Sequence, residues 1–460
     1  MVDYTSQHQL KIKEFGNLSQ MKLNPENRWI KLGQFFPWDR CAAIYAEHFS
    51  DSGRKSINPR LVIGSLIIKH KLNLSDEQTV QIIEENPYMQ FFLGLDEFAP
   101  TPLFSPTLFV EWRKKLGNAT FNAFSDELSM ICNGREMNKA ADNDAAPVEN
   151  KGKLKLDATV ADQNITYPND LGLLNTAREK TEGMIDFLYE KVRDELALKP
   201  RTYRKVARKK YLAESKKRQA NKKSLRSAIR YHLNCLDRNI RNINTMLDMI
   251  EEKSKEFPLP KKMLKDLWVI QTVNGQQREM YDNKTNRCDD RIVSISQPYV
   301  RPIVRGKTGK KVEFGTKIGL TLANGIAKAE TLSWDAYNES ADLVPHAESY
   351  RSFYGYYPEL IQVDKIYGTN KNRAWCTERN IRMTVASKGK QAKLTKHQER
   401  KRKKEYSERN QVEGKFGQAK QGYGLNNIKA KLNNTSHAWV GMVLLITNLV
   451  KFAESHGFHF

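Results

Sequence analysis

Two short stretches carry almost all of the positive charge of this chain, and no stable fold can bury either. Residues 201–230 hold thirteen Lys/Arg and one acid, Glu214; residues 388–404 hold nine and one acid, Glu399. Together they contribute +20 of a net +23 over 460 residues. Unpaired charge in an apolar interior is prohibitively costly. Both blocks therefore belong on surfaces, and the core must come from the nearly neutral remainder. That remainder is long enough for a real core, and the length suggests roughly two or three domains. A surplus placed in this way predicts a polyanionic partner: DNA, RNA or an anionic membrane. The longest apolar run, Ala438 to Val450, contains Thr447 and Asn448 and is too short to span a bilayer. The first residues, MVDYTSQHQLKIKEFG, hold no apolar signal region. Five scattered Cys with no CxxC pair argue against a Cys-based zinc site and for a reducing compartment. Nucleic acid is the leading partner, and no membrane is expected.

The neutral remainder divides by pattern. Residues 1–35 read as a polar lead-in. Residues 36–133 read as helical: Leu61, Ile63, Leu66, Ile67 and Ile68 follow Pro59. Ser75 and Gln78 form a capping box ahead of Val80, Ile82 and Ile83. A third helix is expected from Pro106, with Ser105 as its N-cap and Phe109, Trp112 and Leu116 inside. Short helices on tight connections suit a helix-turn-helix DNA reader, and equally a bundle used for packing or dimerisation. Residues 134–152 are polar with Gly and Pro, a linker. Leu154, Leu156, Ala158 and Val160 then alternate with polar residues, the period of a strand. Residues 171–255 return to helix. Segments 291–304, 316–323, 359–368 and 381–387 read as strands, 338–354 as helix. Two further helices are expected over about 403–421 and 436–456.

Three acids stand out. Asp157 lies within the first strand, on the face opposite Leu154, Leu156 and Ala158. Asp364 ends the apolar run Leu360, Ile361, Val363, where open α/β sheets place ligands. Each alone is equally an exposed acid or a loop cap. Glu413 is more informative. At about 100° per residue, Tyr406, Arg409, Glu413, Phe416 and Lys420 fall within an arc of about 80°. That stripe is a poor apolar seam and a good surface for holding a phosphate and a metal. As a solvated face it would gain only the Arg409–Glu413 pair, about 0.3–0.5 kcal/mol.

The spacing Tyr406, Arg409, Glu413, Lys420 resembles the signature around the catalytic glutamate of DDE transposases from bacterial insertion sequences. LDATVADQNITYPND (156–170) resembles their first-aspartate segment, and VDKIYGTNKNR (363–373) their second. NQVEGKFGQAKQGYGL (410–425) resembles the glutamate segment of the insertion-sequence-five type group, and residues 58–94 its helical N-terminal domain. The resemblance spans about residues 30–455. It implies an α/β catalytic core of RNase H-like type over 153–456, a mixed sheet flanked by helices. It also implies a separate all-α N-terminal domain over 36–133 for DNA binding. This sequence departs from a minimal core by a helical basic insertion at about 170–290.

The implied activity is metal-dependent DNA cleavage at the ends of a mobile element, then transfer of the 3′-hydroxyl into target DNA. The implied cofactor is a pair of Mg²⁺ ions, with Mn²⁺ as a substitute. Asp157 would bridge both, and Asp364 and Glu413 would each complete one side. Tyr406, Arg409 and Lys420 would touch the DNA backbone, Lys401, Arg402, Lys403 and Lys404 would track phosphates, and Arg113, Lys114 and Lys115 would contact the terminal inverted repeats. A homodimer or higher oligomer on DNA and a cytoplasmic, nucleoid-associated site complete the expectation. The alternatives are a nuclease or resolvase on the same fold and a non-catalytic DNA-binding descendant. An RNA-binding role ranks last, since no RNP1-like aromatic motif is present.

Overall fold

Capping chemistry sets where the N-terminal helices begin. The computed structural model describes residues 23–49, 56–132, 149–196, 198–219, 221–252, 257–304, 312–385 and 395–460, and among these described residues seven helices precede the first strand. They are α1 (Arg28–Phe35), α2 (Trp38–Ala46), α3 (Pro59–Leu72), α4 (Asp76–Glu85), α5 (Pro87–Phe92), α6 (Leu108–Lys115) and α7 (Asn118–Cys132). Most of the polar lead-in and of the linker, and residues 388–394 of the second basic run, lie outside the described residues. Asn58 caps α3, whose first residue is Pro59. The Ser75–Gln78 capping box forms at α4, with reciprocal bonds of 3.0 and 3.1 Å. The expected start at Pro106 moves: α6 opens at Leu108 with Thr107 in the cap position. Ser105 spends its carbonyl on a tight turn to the Leu108 N–H instead.

The chain continues through β1 (Lys153–Asp162), α8 (Asp170–Tyr189), α9 (Arg204–Ser215), α10 (Lys222–Glu251), α11 (Lys261–Asp282) and β2 (Pro302–Val304). It returns in β3 (Val312–Ala323), β4 (Ile326–Ser333), α12 (Leu343–Tyr354), β5 (Leu360–Gln362), α13 (Asn370–Glu378), β6 (Arg382–Met383), α14 (Lys396–Gly417) and α15 (Asn433–Ser455). Two compact units result: Met1–Gln163 with Gly315–Phe460, and Asn164–Phe314.

In the first unit the sheet runs β4-β3-β1-β5-β6. β3 is antiparallel to both β1 and β4, and β5 is parallel to β1 and β6. β1 is buried on both faces. Leu154 and Leu156 pack on Leu343, Ala347 and Tyr350 of α12, while Ala161 meets Val412 and Phe416 of α14. Gly315 answers a local need: a Cβ there would lie 1.8 Å from the Ala161 carbonyl oxygen across the strand pair. Two expectations fail in this region. Of residues 291–304 only Pro302–Val304 form a strand, and Pro298, which has no N–H to give a ladder, lies ahead of it. β4 was not expected, since IAKAETLS mixes Ala and charge with too little β-branched content.

The helices expected as a separate N-terminal domain share their unit with the sheet, and α15 is the reason. Its Ala438, Met442, Leu445, Ile446, Leu449 and Phe452 join the cluster of the N-terminal helices. Its Trp439, Val440, Val443 and Leu444 join the sheet's cluster. Buried Asn448 stitches the layers: its side chain exchanges two 2.8 Å bonds with the Ala327 backbone and donates to Ser125 at 3.0 Å. By length and apolarity α15 would suit a membrane, but here it is a core helix, largely buried.

A buried ionic cluster lies nearby. Asp76 accepts bonds of 2.9 and 2.7 Å from both Arg113 terminal nitrogens and pairs with Lys69 at 2.9 Å. Both cations also face the Trp439 ring. Arg113, expected as a DNA contact, is therefore turned inward, because its guanidinium neutralises Asp76. Its neighbours Lys114 and Lys115 remain exposed.

The second unit is mainly helical. Its core combines Leu174, Ile185 and Leu188 of α8 with Leu233, Leu236 and Ile243 of α10 and Leu267 and Ile270 of α11. Arg178 is buried there and spans Glu182 at 2.5 Å and Asn175 at 2.8 Å. α9 and the first turns of α10 carry the first basic block, with Lys205, Arg208, Lys209, Lys222 and Lys223 exposed.

Candidate active site

The site is built where α14 lies across β1. The helix is docked by its own polar residues: Glu408 pairs with Lys153 of β1 at 2.7 Å, and Arg382 of β6 reaches Glu405 at 3.0 Å. Gln362 of β5 donates to the Glu405 carbonyl at 2.6 Å. These contacts fix the rotation of α14 and so place its stripe. Val412 and Phe416 turn into the core. Tyr406 stays 51% exposed and Arg409 only 8%, so the stripe runs along the border of core and solvent.

Arg409 is the centre of the arrangement. One terminal nitrogen lies 3.6 Å from the Asp157 carboxylate, and the other donates to Glu413 at 3.2 Å. Two of the three expected acids, distant in sequence, thus meet at one guanidinium. The Glu413 side chain is 58% exposed and that of Asp157 20%, so the pair opens to solvent on the helix side. The Arg409 guanidinium also faces the Tyr406 ring at 5.4 Å.

Burial pushes the Asp157 carboxyl above the usual carboxylate range, and the charges of Glu339 and Glu413 push the same way. The Ala158 N–H, donating at 2.8 Å, and Arg409 oppose that shift without cancelling it.

Asp364 follows β5 and is exposed. Its carboxylate accepts from the Lys365 N–H at 2.6 Å and caps the short helical turn Lys365–Tyr367. The parallel register pairs Lys153 with Leu360 and Lys155 with Gln362. The pairing ends there, two residues before Asp364. Among the described residues, no three Asp, Glu, His or Cys side chains stand close enough to hold a metal in this arrangement. Asp157 and Glu413 are brought together; Asp364 is beside them in the topology but is turned to its own backbone.

Lys420 leaves the α-helical stripe. The helix loosens into a π-turn over Gln418–Gly422, which rotates Lys420 relative to a regular helix and leaves it half-buried. Lys401, Arg402, Lys403 and Lys404 are exposed on the first half of α14. A cavity of about 690 Å³ lies beside them, lined by Lys365, Arg373, Arg402, Lys403 and Tyr406 among others. Sequence reasoning missed Glu339, whose charge reaches Asp157 and whose carboxylate pairs with Lys317 at 3.1 Å. Its only signal was an acid opening the helix at 338–354, too common a feature to single out.

Residues 361–450 match the family model described as a transposase DDE domain, a span holding Asp364, Tyr406, Arg409, Glu413 and Lys420. Residues 17–115 match another described as a transposase domain (DUF772). A Rhizobium meliloti protein described as "Uncharacterized protein ORF8 in nfe locus" is 28% identical over 148 residues, 32% of this chain and 68% of that one. No solved structure matches the chain.

Proposed function

We propose that this chain, a transposase of the DDE type, cuts DNA at the ends of a mobile element and joins the freed 3′-hydroxyl to target DNA, with Asp157, Asp364 and Glu413 as its metal-holding acids. The observation that carries the reading is the meeting of Asp157 and Glu413 at a single cation, Arg409. Carboxylates that already share a positive charge are a fitting donor set for a hard divalent ion. The sheet order, with β1 central, antiparallel to β3 and parallel to β5, supports an RNase H-like core. Asp364 comes two residues after the end of β5, the strand that pairs with β1.

Each side chain then has a physical task. Asp157, held on a strand buried on both faces, supplies a fixed oxygen that cannot drift with solvent. Glu413 would offer a second oxygen from the solvent side, and Asp364, whose carboxylate here accepts from the Lys365 N–H, would be the third acid. A pair of divalent ions, Mg²⁺ or Mn²⁺ in its place, would activate the attacking hydroxyl and stabilise the leaving oxygen. Arg409 and Lys420 neutralise charge on the scissile phosphate, and Tyr406 offers its exposed ring to the backbone. Lys401, Arg402, Lys403 and Lys404, with the exposed lysines and arginines of 201–230, grip phosphates further along. Synapsis of two element ends calls for at least two copies of the chain on DNA.

The deciding experiment is strand transfer with pre-cleaved ends. Joining in the presence of Mg²⁺ is the expected result. Metal-stimulated nicking without joining would reassign the chain as a nuclease, and neither activity would leave a DNA-binding protein. A second expectation concerns the basic run. Changing Lys401, Arg402, Lys403 and Lys404 together to Gln should lower the slope of log affinity against log salt by about 2–4. Fluorescence anisotropy across a salt series measures this; an unchanged slope removes the run from the interface.

A further inference from the structure

We propose that Arg409 is a resident counter-ion that competes with divalent metal for Asp157 and Glu413, and that a DNA phosphate draws it away. DNA and metal therefore bind with positive coupling. The inference rests on the metal-holding role of these two acids and adds to it a rule for when the site can load.

Three features of Arg409 make it displaceable rather than locked. It touches each carboxylate through one nitrogen only, at 3.6 and 3.2 Å, and forms no paired fork with either. Its Nε is buried and has no hydrogen-bond partner. A guanidinium carries five donors in a rigid plane, so most of its bonding capacity is unspent here. Charge holds it in place, and a better anion can take it. A phosphate matches the guanidinium fork bidentately. The same helix presents Lys401, Arg402, Lys403 and Lys404 to solvent, so a DNA backbone gripped there runs towards Arg409. The exits are open, since Tyr406 and Glu413 are both more than half exposed.

The consequence is an order of events. Without DNA, a divalent ion approaching Asp157 and Glu413 meets a positive charge already between them. With DNA, Arg409 turns to the phosphate and the two carboxylates are left facing each other. Their mutual repulsion then favours the cation. Coupling of this kind is reciprocal, so metal must strengthen DNA binding by the same factor. It also keeps the metal-loaded site from forming on a chain that holds no DNA.

The test is Mn²⁺ affinity, read by electron paramagnetic resonance on the full chain, with and without a short nonspecific DNA duplex. Without DNA, Arg409→Gln should bind Mn²⁺ about tenfold more tightly than the wild type, within the usual range of coupling energies. Arg409→Lys, which keeps the charge, should stay close to the wild type. The duplex should tighten Mn²⁺ binding to the wild type several-fold and leave Arg409→Gln nearly unchanged. Equal or weaker Mn²⁺ binding by a folded Arg409→Gln overturns the proposal. So does a wild type whose Mn²⁺ affinity ignores the duplex, a result that needs no variant. Asp157→Asn separates the two layers of argument. If it binds Mn²⁺ as the wild type does, the metal assignment fails and this inference with it. If it loses Mn²⁺ while Arg409→Gln gains nothing, only the role of Arg409 is wrong.

Discussion

Asp157→Asn is expected to lower DNA strand cleavage by about a thousandfold or more, while thermal stability holds. The size follows from charge stabilisation worth several kcal/mol, each 1.36 kcal/mol being a factor of ten in rate. The substitution keeps shape: an Asn amide oxygen still accepts from the Ala158 N–H that now serves the carboxylate. Stability gives the prediction a second edge. Burial raises the Asp157 carboxyl above its ordinary range, so the ionised form is less well stabilised in the folded chain than in the unfolded one. An acid of that kind works against stability at neutral pH, and a neutral isostere removes the penalty. The melting temperature should therefore stay level or rise as activity disappears. Cleavage that persists in metal-replete buffer would strip Asp157 of its role. A large drop in melting temperature would mean that the loss of activity reports unfolding.

Asp76→Asn should cost about 3 kcal/mol of stability, the lower end for breaking a buried ion pair, because Asp76 itself is partly exposed. The carboxylate neutralises two cations whose side chains are 3% and 8% exposed, Lys69 and Arg113. Removing it leaves both facing Trp439 without their counter-charge, with Lys69 still donating to the Leu74 carbonyl. The first turn of α4 also loses a favourable acid. Lys69 softens the blow, since burial already lowers its pKa and it can shed its proton; Arg113 has no such escape. The pH dependence has a definite sign. Burial alone would raise the Asp76 carboxyl, but the bonds and charges of Arg113 and Lys69 outweigh it and hold it below the usual range. Its contribution is complete above the unfolded value of about 3.9 and is lost as pH falls through the lower native one. The wild type should lose stability more steeply than Asp76→Asn over that acid window. Urea melts at neutral and acid pH measure both effects, and a cost below about 1 kcal/mol at pH 7 would show the cluster to be dispensable.

Local rules were legible in the sequence, and partnership was not. Ser75 and Gln78 announce a helix start because the capping box is a bond between near neighbours. The alternation from Leu154 to Val160 announces β1, and a polar stripe on α14 announces a working face. Asp157, Asp364 and Glu413 were each visible, but nothing local tells that Arg409 stands between two of them. Arg113 sits in a run with Lys114 and Lys115, and the sequence does not say that Asp76, from another helix, turns only the first inward. β4 escaped because its strand character comes from pairing with β3, which outweighs a weak intrinsic preference. The division of α15 between two apolar clusters was hidden for a related reason: a helix apolar all round shows no face to assign.

That division has a bearing on how copies of such a chain decay. The helices over Arg28–Cys132 do not close their core until α15, with Phe458 and Phe460 behind it, has left the ribosome. A frameshift or stop codon ahead of Asn433 would therefore not release the N-terminal helices as a folded unit. It would yield a chain lacking the wedge for both layers at once, fit for proteolysis. Inert fragments, rather than dominant inhibitors, are the expected remains.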